Sequence, residues 1–317
     1  MNSRRAPERG ALLAWTAVLL GGLLLASLAA PFVFAALGAV PWAARWPYSR
    51  IFNRTAMVVA ALLLYAFRRP LGWRVLPLLY GSRTAGGAGM QVLAGFAAAL
   101  AGPALAVAAA CALGLLGPAP GGYAFFAVRT ATTLVGALVV AWIEETFFRG
   151  LMFPSLAATL GTYTAAIASS AAYALVHLLV SDPTLVRGEF TLGAGLGYVV
   201  HAVGRQIEPA SLLPLCGTFL CGMVLAAAVR RTGTLYLAIG LHAGWASALQ
   251  ILRHATHPRV EIPGSSYLAT HYYLVGTPWA WAGVLVSGLV AIAWFVQFER
   301  RGSGSPDDGE IASSALR

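Results

Sequence analysis

The sequence predicts an all-α, polytopic integral membrane protein of about eight transmembrane helices, with a site in the helix-bundle core, and three observations carry that prediction. Hydrophobic residues make up 59% of the chain and charged residues 10%, against about 25% charged in a soluble domain. Mean hydropathy is +0.74. Apolar runs approaching the roughly 20 residues needed to cross a bilayer recur from end to end. Their high Ala and Gly content suits the close helix–helix approach found in lipid.

Taken in order, residues 1–10 form a polar cytoplasmic segment with Arg4, Arg5 and Arg9 against Glu8. The apolar run from Ala11 to Val40 is longer than a signal-peptide core and reads as a signal anchor. Pro41–Arg54 is a loop carrying Arg45, Arg50 and Arg54, and Thr55–Phe67 is a short second span. Arg68, Arg69, Arg74 and Arg83 make the next loop the most basic. Met90–Leu116 is the third span, with Gly102-Pro103 as its expected kink. Gly117–Gly122 is a turn rich in Gly and Pro. Phe125–Gly150 is the fourth span, followed by a short apolar stretch, Leu151–Leu160. Tyr163–Val180 is the fifth, and Ser181–Ser211 is a mixed-charge connection with room for a short interfacial helix. Leu212–Val229, Thr234–Leu252 and Trp279–Phe298 complete the set. Residues 11–298 thus read as a single transmembrane domain, and 299–317 as a disordered, Ser/Gly/Asp-rich cytoplasmic tail.

A net charge of +10 would suggest nucleic acid in a soluble protein. Here the arginines sit in short loops between apolar runs, with no aromatic-interleaved basic patch, so they are topological and no nucleic-acid partner is expected. Eight spans put the clusters at 4–9, 68–83, 230–231 and 300–301 on one side, which makes that side cytoplasmic, with both termini there. Arg45, Arg50 and Arg54 run against this topology. The Ala-rich, Arg-over-Lys composition suggests a GC-rich bacterial genome, and the location expected is then the bacterial inner membrane. Three cysteines, Cys111, Cys216 and Cys221, lie inside apolar segments and read as buried small hydrophobes rather than a disulfide framework.

The fourth span ends in the decapeptide Ala141-Trp142-Ile143-Glu144-Glu145-Thr146-Phe147-Phe148-Arg149-Gly150. Each ionisable group in a membrane helix costs about 2.5–3.5 kcal/mol on insertion scales, and its default reading is functional. Glu145 and Arg149 are spaced i,i+4 and can pair on one helix face. Glu144 lies about 100° round the helix, and its own i+4 neighbour is Phe148, so its partner must come from elsewhere in the chain. Two other apolar segments offer one: His177 on the fifth span and His242 on the seventh. A lone intramembrane histidine is ordinarily a hydrogen bond to a neighbouring helix. Three polar groups on separate helices look instead like a site built inside a bundle.

These residues resemble the CPBP (CAAX-prenyl endopeptidase and bacteriocin-processing, or Abi) family of intramembrane proteases. The family's Glu-Glu-x-x-x-Arg motif is matched by Glu144, Glu145 and Arg149, and its aromatic-x-x-x-His by Tyr173 and His177. Its His-x-x-x-Asn or Asp is matched only in part, by His242, because position 246 is Ala. The resemblance covers about residues 125–250. It implies a glutamate-type endopeptidase in which Glu144 is the general base, holding with His177 a water that attacks a peptide carbonyl. His242 would donate to the developing oxyanion. Glu145, Arg149 and Tyr173 would support these groups without touching substrate. Ala246 stands where the family's second oxyanion donor is expected, and losing such a donor typically costs about 10²–10³ in rate. Either His242 works alone, or another donor substitutes, or activity has been lost. Ser247 and Gln250 are poor replacements by helical position.

Two histidines and a glutamate are also a recognised catalytic zinc set, and Glu144, His177 and His242 could supply it. No His-Glu-x-x-His helix is present, so the expectation is a metal-free mechanism without a cofactor. His254 and His257 read as solvated loop residues. The partners expected are a membrane-anchored peptide or protein substrate and the bilayer itself, and nothing in the sequence demands that the substrate be prenylated. Two rivals come from other classes. One is a catalytically inactive membrane scaffold or immunity protein, supported by Ala246. The other is a proton-coupled transporter using the same three groups as a relay, although no inverted repeat is visible.

Overall fold

The computed structural model describes residues 13–69, 71, 80, 87–114, 116–119, 123–177, 192–259, 276 and 278–302. Every expected apolar segment is helical: α1 (Leu13–Gly38), α2 (Tyr48–Ala66), α3 (Gly87–Ala112), α4 (Tyr123–Glu145), α6 (Thr162–His177), α8 (Pro209–Thr232), α9 (Tyr236–Ala255) and α10 (Pro278–Gly302). The protein is an all-α membrane protein. Its surface is inverted relative to a soluble fold. Leu93, Val135, Trp142 and Leu289 are exposed on helices while Glu145 and Arg149 are fully buried, as befits a chain solvated by lipid tails.

The structure departs from the sequence reading in several places. Among the described residues, five helices are long and apolar enough to cross a membrane: Leu13–Gly38, Gly87–Leu105, Phe126–Leu160, Ser211–Thr232 and Ala280–Arg300. The other three expected spans fall short of that length or apolarity. α2 carries Arg50 and Arg54, the described part of α6 covers 16 residues, and the apolar part of α9 is Tyr236–Leu252. The stretch Leu151–Leu160 is not a separate segment, because α4 continues through a π turn (Thr146–Met152) into α5 (Phe153–Leu160). Pro103 lies within α3 and leaves its helix assignment unbroken. The Gly/Pro turn contains a strand, β1 (Leu116–Pro118), paired antiparallel with β2 (Thr256–Pro258). Three residues are too few to carry an alternation that a sequence could reveal. His257 is therefore a strand residue, exposed on β2, and His254 lies within α9. Cys221 is buried as expected, but Cys111 and Cys216 are exposed on their helices, positions an apolar thiol tolerates in lipid. The connection after α6 contains α7 (Leu192–Gln206). The N-terminal segment 1–10, Arg74, Arg83, His271 and the tail from 303 lie outside the described residues.

By its internal packing the chain divides into two compact units, residues 1–75 with 150–222 and residues 76–149 with 223–317. In the first, α1, α2 and α7 enclose an aromatic core of Tyr48, Phe52 and Tyr198 around Ala26 and Ala30. The Tyr48 and Tyr198 rings meet edge to face at 5.1 Å. Pro31 has no N–H to offer the carbonyl of Ser27 one turn back. Gly195 of α7 approaches that same carbonyl so closely that a Cβ would overlap it. Gly161, at φ 79°, turns the chain from α5 back into α6. The Gln206 amide closes this unit by donating to the Leu175 carbonyl at 3.0 Å.

The second unit is built on α9, which packs against α3, α4 and α10. Glycines make its closest approach possible. A Cβ at Gly95 would meet the Leu237 carbonyl, one at Gly240 the Val92 carbonyl, and one at Gly244 the Ala99 and Phe96 atoms. Gly240 and Gly244 form the small-x-x-x-small spacing that lets two backbones touch in lipid. Side chains then lock the contact: Thr234 donates to Gln91 at 2.7 Å, and Trp245 to Ser287 at 3.1 Å. Because the atom facing Gly240 is backbone, it cannot rotate away. Gly240→Leu is therefore expected to destabilise by about 1–3 kcal/mol or more, read as a lower Tm and monodisperse yield in detergent. Retention of the wild-type Tm would contradict the close α3–α9 approach.

Candidate functional site

In the second unit, α4 and α9 set the decapeptide's charges against His242. Arg149 Nη1 donates to Glu145 Oε1 at 3.1 Å, the i,i+4 pair expected from the spacing. Both side chains are fully buried, and the guanidinium also lies 5.6 Å from the Phe148 ring centroid. Two charges taken so far from solvent need further hydrogen bonds to offset desolvation. His242, itself 6% exposed, provides one, with Nδ1 2.8 Å from the same Glu145 oxygen. A carboxylate paired with arginine can only accept, so Nδ1 carries the hydrogen. The neutral ring then has its lone pair on Nε2. That nitrogen lies 3.7 Å from Glu144 Oε2, beyond direct hydrogen-bonding distance.

The two adjacent glutamates therefore differ in environment, as their 100° offset implies. Glu145 is sealed between Arg149 and His242, while the Glu144 side chain is 22% exposed and is the carboxylate that an incoming molecule can reach. Spacing alone put Glu145 and Arg149 on one helix face as a pair, and the family resemblance implied a supporting role for both. The structure adds that Glu145 orients His242, a carboxylate–imidazole pairing familiar around catalytic histidines. The chain switches from α to π winding immediately after Glu145, and such π turns recur at functional sites.

His177 and Tyr173 lie on α6 of the first unit. His177 is its last residue, and its Nδ1 donates to the Tyr173 carbonyl at 2.9 Å. The Tyr173 ring, buried, stacks at a tilt 4.0 Å from the imidazole. Both histidines thus engage Nδ1 within their own unit. Ala246 is half-buried one turn past His242. Ser247 is fully buried, and its hydroxyl has no hydrogen-bond partner among the described residues. Gln250 is exposed.

Residues 126–248 match the sequence model of the Rce1-like family, described as type II CAAX prenyl endopeptidase Rce1-like. The resemblance to CPBP proteins is thereby borne out over the segment that contains Glu144, Glu145, Arg149, Tyr173, His177 and His242. That family is a protease family. No curated protein and no solved structure shows a significant match to the chain.

Proposed function

We propose that this chain, with an Rce1-like core at residues 126–248, is an intramembrane endopeptidase of the glutamate type acting on a membrane-anchored peptide or protein. The observation that supports this most is the Arg149–Glu145–His242 chain, which aims His242 Nε2 toward the partly exposed carboxylate of Glu144. In this reading Glu144 and His177 hold a water. Glu144 takes its proton as the oxygen attacks the peptide carbonyl, then passes the proton to the departing amine, leaving one new carboxylate and one new amine. His242 donates from Nε2 to the oxyanion. To do so it must carry a proton on each nitrogen, and the Glu145 carboxylate supplies the countercharge for that imidazolium. The basic clusters and both termini would face the cytoplasm of a bacterial cell.

A second reading stands beside it, in which the Nε2 lone pair of a neutral His242, with Glu144 and His177, would hold a zinc ion that serves as Lewis acid. Loss of hydrolysis under a membrane-permeant chelator, restored by zinc, would select it.

The test is a comparison of peptide termini in membranes from cells expressing wild type or Glu144→Gln. Termini present only with wild type support the endopeptidase and name its substrate. Identical termini at equal expression favour the scaffold. Flux that follows the proton gradient without cleavage favours the transporter. The gap at Ala246 gives a further expectation. If His242 stabilises the oxyanion alone, Ala246→Asn raises kcat, by up to about 10²–10³, and an unchanged kcat would mean that no second donor is missing there.

A further inference from the structure

Tyr80 lies in the basic stretch before α3, outside the segment that matches the family. Its phenol hydrogen-bonds the Thr146 hydroxyl, which in turn donates to the Trp142 carbonyl at 2.6 Å. Thr146 is the residue directly after Glu145 and the first of the π turn. On its other side, the Tyr80 carbonyl accepts from the Tyr236 hydroxyl at 2.7 Å, and the two rings meet edge to face at 5.9 Å. Tyr236 is the first residue of α9, the helix that carries His242. One residue thus ties the end of the glutamate helix to the start of the histidine helix. Burial pushes the Tyr80 phenol above its ordinary value, so it remains a donor across the working pH range.

We propose that Tyr80 is a positioning residue of the site: it clasps α4 at Thr146 to α9 at Tyr236 and so sets the spacing across which Glu145 meets His242. The reactive role of that pair rests on the endopeptidase reading, but the clasp itself does not. A hydrogen bond of 2.8 Å tolerates little drift between its helices, and misplacement of a catalytic group by about 1 Å can cost 10²-fold. The Trp142 carbonyl sits at the last α turn before π winding begins, where the helix's own ladder changes register. The Tyr80–Thr146 pair steadies that switch.

The test uses the full chain in detergent with ¹⁵N-labelled histidine. Six histidines give few ring signals, and His242→Gln assigns the one that matters. Tyr80→Phe keeps the ring against Tyr236 and removes the phenol, so folding is expected to survive. It should shift the His242 imidazole nitrogens and leave those of exposed His257 in place. On a quenched farnesylated CAAX peptide as probe, it should lower kcat about 10- to 100-fold with KM unchanged. Thr146→Val should do the same, and the double variant should be no worse than the poorer single, since one chain is broken either way. His242 signals that stay at wild-type positions in Tyr80→Phe overturn the proposal, including the case where only Tm falls. Cleavage of the probe by Glu144→Gln at the wild-type rate would sink the glutamate-type mechanism instead, and the ring signals would still decide the clasp.

Discussion

Glu144→Gln is expected to reduce peptide-bond hydrolysis by about 10²–10⁴-fold, the range of a positioned general base, while leaving Tm and expression at wild-type levels. The two halves of that expectation come from the same geometry. Glutamine keeps the volume and the oxygen of glutamate but cannot take a proton from water. Glu144 is also outside the buried Arg149–Glu145 pair, with a side chain 22% exposed, so neutralising it leaves that pair intact. A variant that folds normally but produces no new peptide termini would separate chemistry from architecture. Hydrolysis persisting at the wild-type rate would remove Glu144 from the mechanism. Absence of new termini from wild type and variant alike would instead return the site to the inactive-scaffold reading, for which Ala246 is the available explanation.

Much of this site could be read from the sequence, and the limit follows a physical line. Glu145–Arg149 was legible because helical spacing alone puts i and i+4 on one face. Glu144, His177 and His242 were legible because ionisable groups in apolar helices cost enough to need a reason. What spacing cannot supply is the partner of a group on another helix. His242 and Glu145 are 97 positions apart, and nothing local distinguishes the imidazole's contact with Glu145 from one with Glu144. Tyr80 was invisible for the same reason, as an aromatic residue in a basic loop whose contacts lie at Thr146 and Tyr236. The fold was legible where hydropathy decides and less so where winding does. Apolar runs mark helices, but no residue in Thr146–Met152 announces a π turn, so the helix seemed to end at Gly150 when it continues to Leu160.

The sharpest contrast is expected at Glu145 and Arg149, where stability and activity should part. Arg149→Met leaves Glu145 fully buried without its guanidinium, and Glu145→Gln leaves that guanidinium buried without its carboxylate. Removing one partner of a buried pair costs about 3–5 kcal/mol, enough to lower Tm or yield in detergent sharply for either variant. The double variant, Glu145→Gln with Arg149→Met, removes both charges. Neutral replacement of a buried pair is often tolerated or even stabilising, so Tm should recover much of what either single change loses. Activity should not recover. The glutamine amide can still accept from His242 Nδ1, but it supplies no countercharge for an imidazolium donating to the oxyanion. A stable, inactive double variant would assign Glu145 to the chemistry through His242, beyond holding Arg149. A double variant as active as wild type would show that His242 needs no carboxylate behind it. The Arg149–Glu145 pair would then be a fastening of the helix end and no more.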